Sequence, residues 1–156
     1  MKALELLSVA IKIERKAADI YRLLHDRFRE DEMASYLWYS LSMEEEGHAA
    51  FIEAEMNMLN SSPDAFGETT VDVAPILASL KMMEDAERDI RGNPVTLEKA
   101  VSLALKIEEE MVEKKYGNLV EIVSPSLKRV FSDLIEMSDH VELLNDFAKK
   151  MGIRCL

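Results

Sequence analysis

The spacing of apolar and polar residues predicts a chain built from long amphipathic helices. From Leu4 to Phe28 the apolar residues fall alternately three and four positions apart, which places them on one helix face. The same spacing returns in three further long segments and one shorter segment, which turn-forming residues such as Pro63 and Gly92 separate. The predicted helices cover about residues 3–29, 31–60, 75–91, 96–122 and 125–152.

The lengths of the connections predict how these helices pack. The first two long helices are joined by about residues 29–32, and the last two meet at Ser124-Pro125, so each pair should form an antiparallel hairpin. A long crossover that contains the short helix 75–91 connects the two hairpins. We therefore expect an all-α four-helix bundle, formed by residues 1–156 as a single domain.

Composition agrees with helices and argues against several kinds of partner. The 156 residues include only 5 Gly and 4 Pro, which suits long helices. The formal net charge of −11 disfavours binding to nucleic acid or anionic lipid, and no apolar stretch approaches the ~18 residues that span a bilayer. The single cysteine, Cys155, leaves no Cys pair for a disulfide or a thiolate metal site. We expect a cytoplasmic protein that does not bind a membrane.

One chemical pattern occurs in both halves of the chain. The segment AIKIE ends at Glu14 and the segment ALKIE ends at Glu108, and each glutamate interrupts an apolar stripe. A histidine with acidic neighbours follows each of them, His48 in the first half and His140 in the second. The pattern indicates an internal duplication, with the two hairpins related by a pseudo-two-fold axis.

These residue types in this arrangement favour a metal pair. A carboxylate inside an apolar stripe is unfavourable unless a partner neutralises it. Residues three or four apart share a helix face, so His48 and either Glu45 or Glu44 could bind one ion. Carboxylate oxygens combined with imidazole nitrogens suit iron or manganese better than a thiolate-binding metal. The four positive charges of two divalent ions would balance the charges of four glutamates that point into the core. Bound metal should therefore stabilise the fold.

At these positions the chain resembles the rubrerythrin-like branch of the ferritin-like superfamily over nearly its full length. The resemblance implies a ferritin-like four-helix bundle in which Glu14 and Glu108 are the two single glutamate ligands. It also implies that Glu45 and His48 form the first Glu-x-x-His motif, with Glu45 bridging the two metals. Two tyrosines match family tyrosines that lie beside the metal centre; they are Tyr21 and Tyr116.

The fourth helix departs from the family pattern. Met137 stands three residues before His140, where the family has a glutamate. Glu136 lies four residues before the histidine and shares its face by helical spacing, so it is our candidate for the second bridge. Asp139 and Glu44 are reserve ligands.

The resemblance implies a non-haem di-iron protein that reacts with peroxide or dioxygen in oxidant defence. We expect two iron ions, although manganese or zinc would also fit the ligand types. An external electron donor such as a rubredoxin-type protein would be needed, and a homodimer is expected. Two alternatives stay open: a ferroxidase or iron-handling protein without peroxidase turnover, and a metal-free helical interaction module.

Overall fold

The computed structural model describes residues 3–62, 74–111, 125–137 and 139–154, and these contain helices and short connections but no strand. The prediction of an all-α protein is confirmed. None of the helices in these ranges is long and apolar enough to cross a membrane. The helices are α1 (Ala3–Arg27), α2 (Glu32–Ser61), α3 (Ala74–Gly92), α4 (Leu97–Met111), α5 (Pro125–Met137) and α6 (His140–Met151).

Helices α1 and α2 form the antiparallel hairpin that the short connection predicts. Arg15 contacts Glu53 at 2.6 Å and Arg22 contacts Glu46 at 3.1 Å. Arg22 lies seven residues after Arg15, and its partner Glu46 lies seven residues before Glu53, as expected for two antiparallel helices. Asp31 begins the second helix, because its side chain accepts a hydrogen bond of 3.0 Å from the backbone N–H of Ala34.

Helix α3 of the crossover packs against α1. Lys16 pairs with Glu87 at 2.6 Å, and both side chains are largely buried. At the other end of α1, Arg27 donates hydrogen bonds to the carbonyls of Ile90 (2.7 Å) and Arg91 (3.1 Å). These carbonyls lie in the last turn of α3, where a helix has no internal donors left and where a cation is favoured by the helix dipole.

The core that these helices share is apolar except in one region. Large side chains such as Leu7, Leu41 and Phe131 are almost completely inaccessible to solvent. Apart from the aromatic residues Tyr21 and Trp38, the buried polar side chains in the described part of the chain comprise two serines and five ionisable residues, and the five are Glu14, Glu45, His48, Glu108 and His140. The ionisable residues predicted to interrupt the apolar stripes are therefore inside the protein.

The segment expected to form one helix over residues 125–152 contains two helices in the structure. Helix α5 ends at Met137 and α6 begins at His140, with Asp139 at the N-cap in a non-helical conformation (φ −115°, ψ 18°). An aspartate directly before a run of helical periodicity is a helix start signal, although the Asp139 side chain makes no capping hydrogen bond here. Glu136 and His140 consequently lie on different helices.

We predict that Asp31→Ala lowers the free energy of unfolding by ~1 kcal/mol, because it removes the cap from the first turn of α2. Urea denaturation followed by circular dichroism would measure the loss. Glu30→Ala is the matched control, since this exposed neighbour has no capping role and the change should stay within about 0.5 kcal/mol. Equal losses in the two variants would contradict the capping role.

Candidate metal centre

Five ionisable side chains from four helices meet in the core. Their exposed fractions are 2% for Glu14, 1% for Glu45, 7% for His48, 1% for Glu108 and 0% for His140. Charged side chains are almost never buried to this extent unless they are paired or bind a metal. The cluster therefore needs a physical explanation that hydrophobic packing does not supply.

The cluster consists of two groups of potential ligands. In the first group, Nδ1 of His48 lies 3.5 Å from Oε2 of Glu14 and 3.2 Å from Oε2 of Glu45. In the second, Nδ1 of His140 lies 2.9 Å from Oε1 of Glu45 and 3.2 Å from Oε2 of Glu108. Within each group the potential ligand atoms all lie within 4.8 Å of one another. Each group thus offers two carboxylates and one imidazole to a single ion.

Glu45 belongs to both groups. One of its carboxylate oxygens faces His48 and the other faces His140. The two imidazole rings are nearly parallel, with centroids 5.5 Å apart and an interplanar angle of 22°. A carboxylate that directs its two oxygens to two neighbouring positions has the arrangement of a bridging ligand.

Helix geometry explains why these residues meet. Glu45 and His48 are three residues apart in α2 and point to the same side. Glu14 stands opposite them because it precedes the turn between α1 and α2 by about as many residues as Glu45 follows it. The second half repeats this relation, since Nδ1 of His140 faces Glu108 as Nδ1 of His48 faces Glu14. The two histidine–glutamate pairs thus occur in corresponding positions of the repeated sequence segments.

The carboxylates strongly favour protonated histidines in the metal-free protein. Burial disfavours the charged imidazole, but hydrogen bonds to Glu14 and Glu45 outweigh that cost and raise the pKa of His48 to about 10. Burial also opposes the charge on His140, yet hydrogen bonds to Glu108 and Glu45 raise its pKa to about 12. At neutral pH two protons therefore occupy the Nδ1 positions that would face a metal ion.

Tyr21 holds the remaining oxygen of Glu108. Its hydroxyl donates a hydrogen bond to Oε1 of Glu108, while Oε2 faces His140. Burial and the nearby carboxylates, Glu108 first among them, raise the pKa of Tyr21 well above its ordinary value, so the hydroxyl stays protonated and remains a donor. The Tyr21 ring also stacks on Trp38, with centroids 6.0 Å apart. Both carboxylate oxygens of Glu108 are thus held, one by Tyr21 and the other by His140.

The donor set fits a pair of hard or borderline divalent cations. Three carboxylates and two imidazoles supply oxygen and nitrogen ligands, as iron, manganese and zinc sites require. The formal charge of the three carboxylates is −3, which two protonated imidazoles reduce to −1 in the metal-free protein. Two divalent cations, with the protons displaced, would bring the buried charge to +1. Either state compensates most of the charge that burial would otherwise make unfavourable.

Comparison with known families supports the family resemblance that the sequence motifs indicated. The sequence profile of the rubrerythrin family matches residues 5–145, a range that includes all five buried ionisable residues. The chain belongs to the rubrerythrin family. The searches of curated proteins and of solved structures gave no match. For this rubrerythrin family member, the all-helical architecture is consistent with the ferritin-like bundle that the sequence implied.

The structure brings together most of the candidate ligands named from the sequence, in the two groups that share Glu45. It does not bring Glu136 into them, because this residue is exposed and the helix that carries it ends before His140. Glu44 and Asp139, the reserve ligands, form a third and largely exposed group with His140. Tyr116 lies outside the described residues.

Trp38 lies beside the site, although it is not among the residues predicted from the sequence. The indole lies directly behind Tyr21, and its exposed fraction is 0%. The register of the hairpin is the signal that could have found it, because Tyr21 precedes the turn by about as many residues as Trp38 follows it. Residues equally distant from a tight turn face each other in an antiparallel pair.

We predict that the metal-free protein loses stability as pH rises above neutrality. Both histidine pKa values lie above the unfolded value of 6.5, so the stabilisation is complete below pH 6.5 and disappears as pH passes through about 10 and then about 12. Each histidine contributes a slope of up to ~1.4 kcal/mol per pH unit between these limits. Urea unfolding at pH 6.5, 8 and 9.5 measures this fall in the free energy of unfolding.

The variant His48→Gln separates this effect from other titrations. In His48→Gln the free energy of unfolding should fall less steeply with pH, by up to the slope that one proton contributes. His25→Gln changes a histidine outside the cluster and should keep the wild-type curve. Parallel curves for wild type and His48→Gln would show that the His48 pairing does not contribute.

We also predict that Tyr21→Phe destabilises the metal-free protein by ~1–3 kcal/mol, because Oε1 of Glu108 loses its buried donor. Thermal and urea unfolding measure the loss. Tyr39→Phe removes the same atom from a side chain that is 53% exposed and should change stability by less than about 0.5 kcal/mol. If Tyr21→Phe is no more destabilising than Tyr39→Phe, the hydrogen bond to Glu108 has no energetic role.

Proposed function

We propose that this protein is a di-iron carboxylate oxidoreductase that reduces peroxide, or reacts with dioxygen, in oxidant defence. The observation that carries the proposal is the placement of Glu45, whose two oxygens face two different histidines inside a buried cluster. Membership of the rubrerythrin family supports iron as the metal. Glu14 and His48 would complete one position, and Glu108 and His140 the other.

The residues around the centre have distinct tasks in this proposal. If Glu14, Glu45, His48, Glu108 and His140 held a pair of ferrous ions, that pair would supply the two electrons which, with two protons from solvent, reduce peroxide to water. Glu45 holds the two positions at a fixed separation, and the histidines release their Nδ1 protons when metal binds. Tyr21 keeps Glu108 in place through a hydrogen bond that persists at all ordinary pH values. The apolar core around the cluster excludes bulk water.

A groove between α2 and α6 offers a route for a small oxidant. Its volume is about 400 Å³, and apolar residues such as Leu37 and Phe147 line much of it. Glu44 lies on its wall and contacts His140, so the groove reaches the edge of the cluster. We propose that peroxide or dioxygen enters along this side.

Turnover requires electrons from outside the cluster. We propose a separate one-electron donor protein of the rubredoxin type, and we propose that the functional unit is a homodimer. Steady peroxide consumption with reduced donor would support the peroxidase function. Stoichiometric oxidation of added Fe(II), without donor-dependent turnover, would instead indicate a ferroxidase or iron-handling protein.

The test of the metal centre is iron content in matched variants. Wild type reconstituted anaerobically with Fe(II) should hold two ions per chain and show raised thermal stability that chelator removes. Glu45→Gln keeps the shape of the side chain but removes the charge of the shared carboxylate, so both ions should be lost or greatly weakened, and donor-dependent peroxide consumption with them.

Glu46→Gln is the control for this change. Glu46 is the next residue of the same helix, and its side chain is 42% exposed and pairs with Arg22. This variant has the same net charge as Glu45→Gln and should keep two ions. Equal iron content in the two variants would contradict the shared role of Glu45. A wild type that binds no metal and ignores chelator would contradict the proposal and favour a helical interaction module.

A further inference from the structure

His140 makes polar contacts through both of its ring nitrogens. Nδ1 faces Glu45 and Glu108 in the core, whereas Nε2 lies 2.8 Å from Oε2 of Glu44. The histidine is fully buried, and the Glu44 side chain is 44% exposed. The ring thus links the buried cluster to a carboxylate at the protein surface.

Glu44 is placed to orient this ring rather than to bind the same ion. It approaches the edge of the imidazole opposite to Nδ1, which faces the other two carboxylates. A carboxylate that accepts the Nε2–H requires the other nitrogen to present its lone pair to the metal. His140 is the first residue of α6, and the hydrogen bond with Glu44 ties its ring to α2.

The charge balance of the cluster also supports a role for Glu44. With two divalent cations and neutral imidazoles, the three buried carboxylates leave a formal charge of +1 in the core. The carboxylate of Glu44 contributes the charge that brings the total to zero, one hydrogen bond away from His140. Asp139 belongs to the same outer group, but Glu44 makes the hydrogen bond to the ring.

We propose that Glu44 is a positioning residue for the second metal position. It accepts the Nε2–H of His140 and thereby holds Nδ1 toward Glu45 and Glu108, which raises the affinity of that position for metal. This inference rests on the proposed function, because it requires that the cluster binds metal ions.

The test is Zn(II) binding, measured by competition with a chromophoric chelator, in wild type and in Glu44→Ala, Glu44→Gln and Glu46→Ala. Zinc avoids redox chemistry and reports affinity alone. Glu44→Ala should weaken one of the two bound ions ~10–100-fold, which is the usual effect of removing a partner of a ligating histidine. Glu44→Gln should recover part of the loss, because its amide oxygen can still accept the hydrogen bond. Glu46→Ala removes the same charge two residues away and should bind zinc as wild type does.

A second measurement reads the histidine directly. In zinc-loaded protein labelled with ¹⁵N-histidine, the His140 resonances should show Nδ1 bound to metal and an Nε2–H protected from exchange with water. That protection should fall in Glu44→Ala and persist in Glu46→Ala. This readout would not change if Glu44 only contributed to folding.

Three results would overturn the inference, and they are distinguishable. Two tightly bound zinc ions with equal affinities in Glu44→Ala and Glu46→Ala would remove the role of Glu44 and leave the metal centre intact. A third ion in wild type that is absent in both Glu44→Ala and Asp139→Ala would make Glu44 a ligand of an outer cation site. A wild type that binds no zinc would reject the metal centre and the role of Glu44 together.

Discussion

The structure depends on the carboxylate of Glu45, held between the imidazoles of His48 and His140 in an otherwise apolar core. Three buried carboxylates would repel one another and oppose folding if nothing positive lay between them. In the metal-free protein the two histidines supply that charge, and their raised pKa values express how strongly the carboxylates favour it. The same carboxylates offer negative charge that bound cations could balance.

The surrounding helices hold this arrangement in place. The α1–α2 hairpin fixes Glu14 opposite Glu45 through its register, and ion pairs at Arg15 and Arg22 on its outer side follow the same register. The crossover helix α3 packs against α1, with Arg27 bonded to its last carbonyls. Long helices suit this purpose because side chains at fixed spacing converge without irregular backbone in the core.

Much of the site could be predicted from the sequence because helical spacing is regular. The repeated segments ending at Glu14 and Glu108, each followed by a histidine, predicted a cluster that the structure brings together. The same reasoning did not place Glu136, because the rule of four residues holds only inside a continuous helix, and a helix start at His140 separates the two residues.

Contacts between helices were harder to predict than contacts within one helix. Glu44 approaches His140 across the interface between α2 and α6, and Trp38 reaches Tyr21 across the first hairpin. Both contacts depend on the register and tilt of two elements. The spacing of residues along one helix gives neither the register nor the tilt of that helix against its neighbour.

The stack of Tyr21 on Trp38 gives the protein an intrinsic optical probe. Trp38 is the only tryptophan in the chain, and one ring and one hydrogen bond separate it from Glu108. A cation next to that carboxylate whose complex absorbs at the wavelengths of indole emission would quench it by energy transfer, whereas a cation without such absorption would alter it only through local polarity. Binding of a cation at this position would therefore give a fluorescence signal that needs no label.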